Sequence, residues 1–335
     1  MPAPLPRLID LHVDWLLQYA PETTLFDPAL YAGVAGRLGQ AEGYLTATSA
    51  AVLACYRDAD DWARQADPWA ALGGLIARLE AEFAGRLLIG PEDHGRWRDD
   101  PRGPCWGVLG VEGFDALVRS RDDLDRLAGL VERGVRLFQP VYAPTGVLGG
   151  SSAPGDDRGL TSLGRDFLRV LDDAAAAAPG SRPLLDLAHL NPATAGDVLA
   201  WFEAGTRRLL PVYSHGALRH EGFPHPRAIT PENLRRLRAL GGTVGLTPAF
   251  HETAEALKAG IEAAAALPWR GREGYEGIAL GTDFLGVERV APGMGRAAEV
   301  VSWVRAAFEP RAAALLIREN AARLLARAVG AGPAT

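Results

Sequence analysis

Three histidines each stand at the end of a short apolar run: His12 in LIDLHVD, His189 in PLLDLAHL and His215 in LLPVYSH. Asp14 follows His12 by two residues, Glu112 ends the run WGVLGVEG, and Asp283 ends GIALGTDF. Burying a titratable group is costly unless something compensates its charge, so packing alone gives no reason for these residues to end apolar strands. Alternation along a strand turns residues two apart to one face, which lets His12 and Asp14 reach a single cation. Imidazole with carboxylate suits zinc, with manganese and iron as open alternatives. Three histidines and two carboxylates exceed what one hydrolytic zinc needs when it must keep a position free. They suit two metals, with Glu112 as the bridge between them. The chemistry to expect is metal-dependent hydrolysis. His94, His220, His225 and His251 lack such a setting and read as ordinary hydrogen-bonded histidines.

These side chains meet only if the strands that carry them lie side by side. Eight short apolar runs read as strands, at 8–14, 46–54, 106–113, 135–142, 184–190, 209–215, 242–248 and 278–284. Helical stretches separate several of them. After Thr230, the N-cap, Pro231 opens a helix with Leu234, Leu237 and Leu240 on one face, and Gly241 and Gly242 end it. Spacing also predicts a helix over 117–133 and a final one over 310–329. Continuous apolar strands alternating with helices specify a parallel sheet covered outside. Eight of them favour a (β/α)8 TIM barrel, an α/β fold that gathers ligands at the C-terminal ends of its strands. No GxGxxG turn follows the first strand, which argues against dinucleotide binding. The Gly-, Ser- and Pro-rich stretch 142–161 is long for a connection and reads as a substrate-covering loop. No domain boundary is visible, so residues 1–335 read as a single catalytic domain.

The 335 residues are 48% hydrophobic, enough for a large core, and carry a net charge of −6. That charge argues against a nucleic-acid footprint or a basic membrane face. Lys258 is the only lysine, and the positive charge is otherwise arginine. Cys55 and Cys105 read as small buried hydrophobes and not as a disulfide framework. The start MPAPLPRLID shows no long apolar leader, and no run approaches the ~20 residues of a spanning helix. The expectation is a soluble cytoplasmic enzyme with a small-molecule substrate.

At these residues the chain resembles the membrane dipeptidase (renal dipeptidase) family of amidohydrolase-like barrels. The likeness runs through IDLHVD, GVEG, GVRLFQPVY, GLTSLGRDFLRVLD, LLDLAHL, PVYSHGALR, HPRAITPENLRRLRALGGTVGL, GIALGTDFLG and LLIRENAARLL, in that order. The resemblance implies two zinc ions per chain: His12, Asp14 and Glu112 on one, with Glu112, His189 and His215 on the other. It further implies that Arg219 grips the substrate's carboxylate and that Asp283 moves a proton near a water bridging the metals. Tyr142 stands where the family has a histidine that holds substrate and oxyanion, and Ala188 and Gly216 replace family serines. Asp186 reads as a supporting carboxylate. The implied activity is hydrolysis of dipeptides or similar N-acyl amino acids through a metal-bridging hydroxide. The alternatives are a divergent amidohydrolase acting on another small amide or lactone, and a metal-retaining binding protein without catalysis. A homodimer is an expectation carried by the resemblance alone.

Overall fold

A computed structural model describes residues 7–20, 25–142, 144–178, 180–220 and 223–332. Most of the opening stretch MPAPLPRLID, residues 1–6, lies outside the described residues. Among the described residues, no helix is long and apolar enough to cross a membrane.

Eight parallel strands close into a barrel in chain order: β1 (Leu8–Val13), β2 (Thr48–Cys55), β3 (Trp106–Glu112), β4 (Val135–Gln139), β5 (Leu184–Asp186), β6 (Leu210–Tyr213), β7 (Thr243–Leu246) and β8 (Ile278–Leu280). Every residue of these strands is buried. Alternation divides their side chains between two cores. Val52, Val108, Leu137, Leu184 and Val212 fill the barrel together with Leu324, Leu325 and Ala328 of the helix Asn320–Ala328, which plugs its N-terminal end. Leu53, Val111, Phe138 and Leu185 face outward, in one core with Leu75, Ile76, Phe167, Leu171 and Val198 of the surrounding helices. Each such side chain contributes roughly 1.5–3 kcal/mol on burial.

Local chemistry starts the helices where the sequence asks for them. Thr161, Asn191, Thr230 and Thr253 each accept a backbone N–H with their side chains, and Pro192 and Pro231 occupy first-turn positions. The helix expected over 117–133 is shorter. Asp123 accepts the N–H groups of Arg119 and Ser120, a 3₁₀ turn follows, and the helix spans Arg126–Arg133. The C-terminal helix is broken by a π-turn at Leu315–Glu319.

Several strands are also shorter than their apolar runs at the C-terminal end, for a definite reason. In β5 the ladder stops at Asp186, whose carboxylate takes over as acceptor for the N–H groups of Ala188 and Ser214. His189 then turns into the left-handed region, at φ 64°. Asp10 plays the same part between β1 and β8, accepting the N–H groups of His12 and Thr282. The chain thus leaves the sheet where the histidines must diverge from it.

Of the described residues of the stretch 142–161, Tyr142 lines the barrel mouth and the rest do not. Others fold back on the β5 side: Gly150 N–H donates to Thr194, and Ser152 N–H donates to the His189 carbonyl at 2.8 Å. The mouth is also lined by Leu17, Leu30, Tyr31, Val34 and Arg37, all from the connection between β1 and β2.

Candidate metal centre

The strand ends bring the expected side chains into one buried cluster. His12, Asp14, Glu112, His189, His215 and Asp283 are each at most 6% exposed. Their donor atoms form three overlapping groups, His12–Asp14–Glu112, Glu112–His189–His215 and His12–His215–Asp283, with the atoms of each group within 4.8 Å of one another. Glu112 is the shared member. Its Oε2 lies 3.2 Å from His12 Nε2, and its Oε1 lies 3.2 Å from His189 Nε2 and 4.0 Å from His215 Nε2. The two oxygens of one carboxylate therefore face two separate groups.

Burial and charge set the protonation states. Burial alone would lower His12, but the Glu112 and Asp14 carboxylates hold it well above the usual imidazole range. Burial, reinforced by Arg227, pushes His189 down to about 4, and burial with His12 keeps His215 well below its ordinary value. Those two imidazoles are neutral and have lone pairs to give. Burial would raise Glu112, yet His12 and His189 keep it ionised. Burial lifts Asp14 to about 6, with Glu112 adding to the rise. It lifts Asp283 to about 7, with the Arg227 and His12 cations pulling back.

These residues fit a metal. Both ring nitrogens of His12 and Oδ1 of Asp14 are buried with no hydrogen-bond partner, an arrangement that is costly without a cation to coordinate. A positive group already stands among the donors: Arg227 Nη2 is 2.5 Å from His189 Nε2, 3.3 Å from His215 Nε2 and 3.8 Å from Asp283 Oδ2. Behind the cluster, Ser214 Oγ lies 2.8 Å from His215 Nδ1 and donates to Asp186, so the outer nitrogen of that imidazole is fixed by a carboxylate-backed hydroxyl.

Compared with protein-family models, the sequence matches membrane dipeptidase, peptidase family M19, over residues 97–329, more than half of the chain. The chain belongs to this family. A search of curated proteins returns no match. Solved structures supply the fold comparison. A metallo peptidase from Rhodobacter sphaeroides, liganded with a phosphinate mimic of the dipeptide L-Ala-D-Ala, is 20% identical with a TM-score of 0.74, over 97% of this chain and 100% of that one. The dipeptidase AC, an M19 metallo peptidase, is 20% identical with a TM-score of 0.73, over 98% and 100%. An amidohydrolase from Pseudomonas aeruginosa is 17% identical with a TM-score of 0.66, over 97% of each chain. At these identities the likeness establishes the fold, and the family match establishes a metal-dependent dipeptidase. The matched segment holds Glu112, His189, His215 and Asp283; β1, outside it, brings His12 and Asp14 to the same place.

One expected site residue of this M19 chain lies elsewhere. Arg219 does not line the cavity at the barrel mouth; its Nη2 donates to the Pro226 carbonyl at 2.8 Å. The reason is local. Arg219 N–H donates to the Ile229 carbonyl and Ile229 N–H donates to the Ala217 carbonyl, a parallel bridge that fixes the backbone at Arg219. Arg227, two residues ahead of Ile229 on the other segment of that bridge, enters the cavity instead. Its signal in the sequence was the single arginine of HPRAITPE, just ahead of the Thr230 cap. Tyr142 does line the cavity, and Tyr56, at the end of β2, donates its hydroxyl proton to the Tyr142 oxygen at 3.0 Å. Burial raises both phenols above their usual range, so both stay protonated. Of the remaining histidines, His225 and His251 stack on Phe223, and His94 packs against Trp97.

Proposed function

We propose that this chain is a binuclear zinc hydrolase that cleaves the amide bond of dipeptides or closely similar N-acyl amino acids. The observation that carries the reading is the split of Glu112, one oxygen toward His12 and Asp14 and the other toward His189 and His215. His12, Asp14 and Glu112 would hold one ion, and Glu112, His189 and His215 the other. Zinc bound there would lower the pKa of a water and polarise the scissile carbonyl.

The chain's own residues supply the rest. Tyr142 receives its hydrogen bond from Tyr56, which leaves the Tyr142 proton free to donate to the carbonyl oxygen as it gains charge. Asp283, within 4.0 Å of His12 and His215, can take a proton and return it to the leaving amine. Arg227 offers a guanidinium fork at the mouth and takes the carboxylate-gripping role expected of Arg219. The cavity measures about 220 Å³, below the roughly 300–1,000 Å³ typical of drug-sized ligand sites, so a small substrate fits and a long peptide does not. The Rhodobacter sphaeroides relative, liganded with a phosphinate dipeptide mimic, supports the same substrate class.

The test is metal counting by mass spectrometry together with a panel of L- and D-configured dipeptides, N-acyl amino acids and lactones. Two zinc ions per chain and turnover of dipeptides are the expected result. One metal per chain would overturn the binuclear reading. Turnover confined to lactones would overturn the dipeptide reading, and metal retention without any turnover would indicate a binding protein.

A further inference from the structure

The N-terminal end of the barrel, opposite the metal centre, holds a second cavity of about 740 Å³. Arg182 enters it just ahead of β5, Arg208 just ahead of β6, Arg270 from the connection leading to β8, and Arg327 from the plug helix Asn320–Ala328. Among the described residues, none of these four guanidiniums has a carboxylate within ion-pair distance, although the chain as a whole is acidic. The nearby Asp172 is engaged, accepting the backbone N–H groups of Arg208 and Leu209. The arginines depress one another. Burial, then Arg208, lowers Arg182, while burial with Arg182 and Arg270 brings Arg327 down to about 10.

Two further observations point to a ligand. Ser181 lines the same cavity, is 8% exposed, and has its Oγ buried with no hydrogen-bond partner. Ala175, Ala176 and Ala178, at the end of the helix Ser162–Ala177, contribute an apolar wall. Clustered like charges repel, and an anion bridging them removes that cost while satisfying the stray hydroxyl. Arginine forks match phosphate oxygens two at a time.

We propose that this cavity binds a small organic diphosphate, its phosphates among Arg182, Arg208, Arg270 and Arg327 and its uncharged body on the alanine wall. The Ser181 hydroxyl donates to one phosphate oxygen. The site lies at the strand starts, away from the strand ends where the metal ligands gather, and does not rest on the dipeptidase reading.

Isothermal titration calorimetry on the metal-loaded protein tests it, with adenosine diphosphate and inorganic pyrophosphate as separate probes. The expected result is one site per chain for both, with adenosine diphosphate the tighter because pyrophosphate leaves the alanine wall bare. Arg208→Glu with Arg270→Glu should weaken both by at least tenfold, about 1.4 kcal/mol. Neither side chain donates a hydrogen bond to the described protein, so circular dichroism should be unchanged, as should dipeptide turnover. Any heat from phosphate binding to the catalytic metal persists in that double variant, so only the heat it loses counts. Equal heats in the two proteins would overturn the proposal. Binding of pyrophosphate with none of adenosine diphosphate would also overturn it, as would loss of binding in Arg227→Ala instead.

Discussion

At the C-terminal end of the barrel, three histidines and three carboxylates are buried with one arginine, Arg227, among them. At the N-terminal end, four arginines surround a cavity, and among the described residues no carboxylate lies within ion-pair distance of them. Each end has polar atoms that the protein leaves unpaired, His12 and Asp14 above and Ser181 below. The difference in sign teaches what each end is short of: a cation at the strand ends, an anion at the strand starts. The support differs as well. Upper ligands are aimed by buried carboxylates, Asp10 and Asp186, whose own acceptors are fully used. Lower arginines are half-exposed or exposed, and of them only Arg182 and Arg327 donate to backbone carbonyls of the described residues.

That contrast can be broken at the upper end first. Glu112→Gln keeps the shape but removes the charge facing both groups; metal content should fall below two per chain and kcat/KM by ~10³-fold or more, read by mass spectrometry and dipeptide hydrolysis. Full metal content in that variant would separate Glu112 from the centre. Arg227→Ala should retain metal and raise KM roughly 10²-fold for carboxylate-bearing substrates, while Arg219→Ala leaves KM almost unchanged. The reverse pattern would restore Arg219 to the site.

Acidification sharpens the comparison. Asp14, raised to about 6, holds a proton below that value, and His12, held well above the usual imidazole range by Glu112 and Asp14, keeps one as well, so a metal bound by these side chains must displace both. Zinc affinity of the metal-free protein should therefore fall as pH drops from 8 to 6, by up to about tenfold per pH unit for each displaced proton. Competition against a chromophoric chelator measures it; a flat profile would contradict the assigned protonation. A smaller effect belongs to the support. Ser214→Ala unties His215 Nδ1 from Asp186 and should cost on the order of 10-fold in metal affinity, visible in the same chelator assay. Smallest of all is the crossover from the base: Arg208→Glu with Arg270→Glu should change dipeptide turnover less than about twofold, as expected for distant sites that share no partner.

Much of this organisation was legible in the residues. The eight apolar runs became the eight strands because their patterning is continuous, as a two-sided parallel sheet requires. Histidines and carboxylates at the ends of those runs could be read because no packing role competes for them. Arg219 and Arg227 could not be told apart, since each is one arginine in an arginine-rich chain and only the parallel bridge between Leu218 and Ile229, a tertiary contact, sets how each is placed. Asp10 was hidden inside an apolar run, where a charged residue gives no local sign that it accepts N–H groups from a neighbouring strand. The arginine-lined cavity is assembled from residues 182 to 327, and no stretch of sequence carries it. The stretch 142–161 was read from length and composition as a cover; only the fold reveals that Tyr142 alone of its described residues reaches the mouth, while Gly150 and Ser152 bond to the β5 side.

That stretch has a consequence of its own through the bond from Ser152 N–H to the His189 carbonyl. A histidine of the buried cluster, with a left-handed backbone, is tethered to a segment whose tip, at Pro154 and Gly155, is exposed. Lineages that lengthen or shorten this segment would move His189 against Glu112 and so alter which ion the enzyme prefers. Evolution could retune the cofactor here without replacing any residue that touches it.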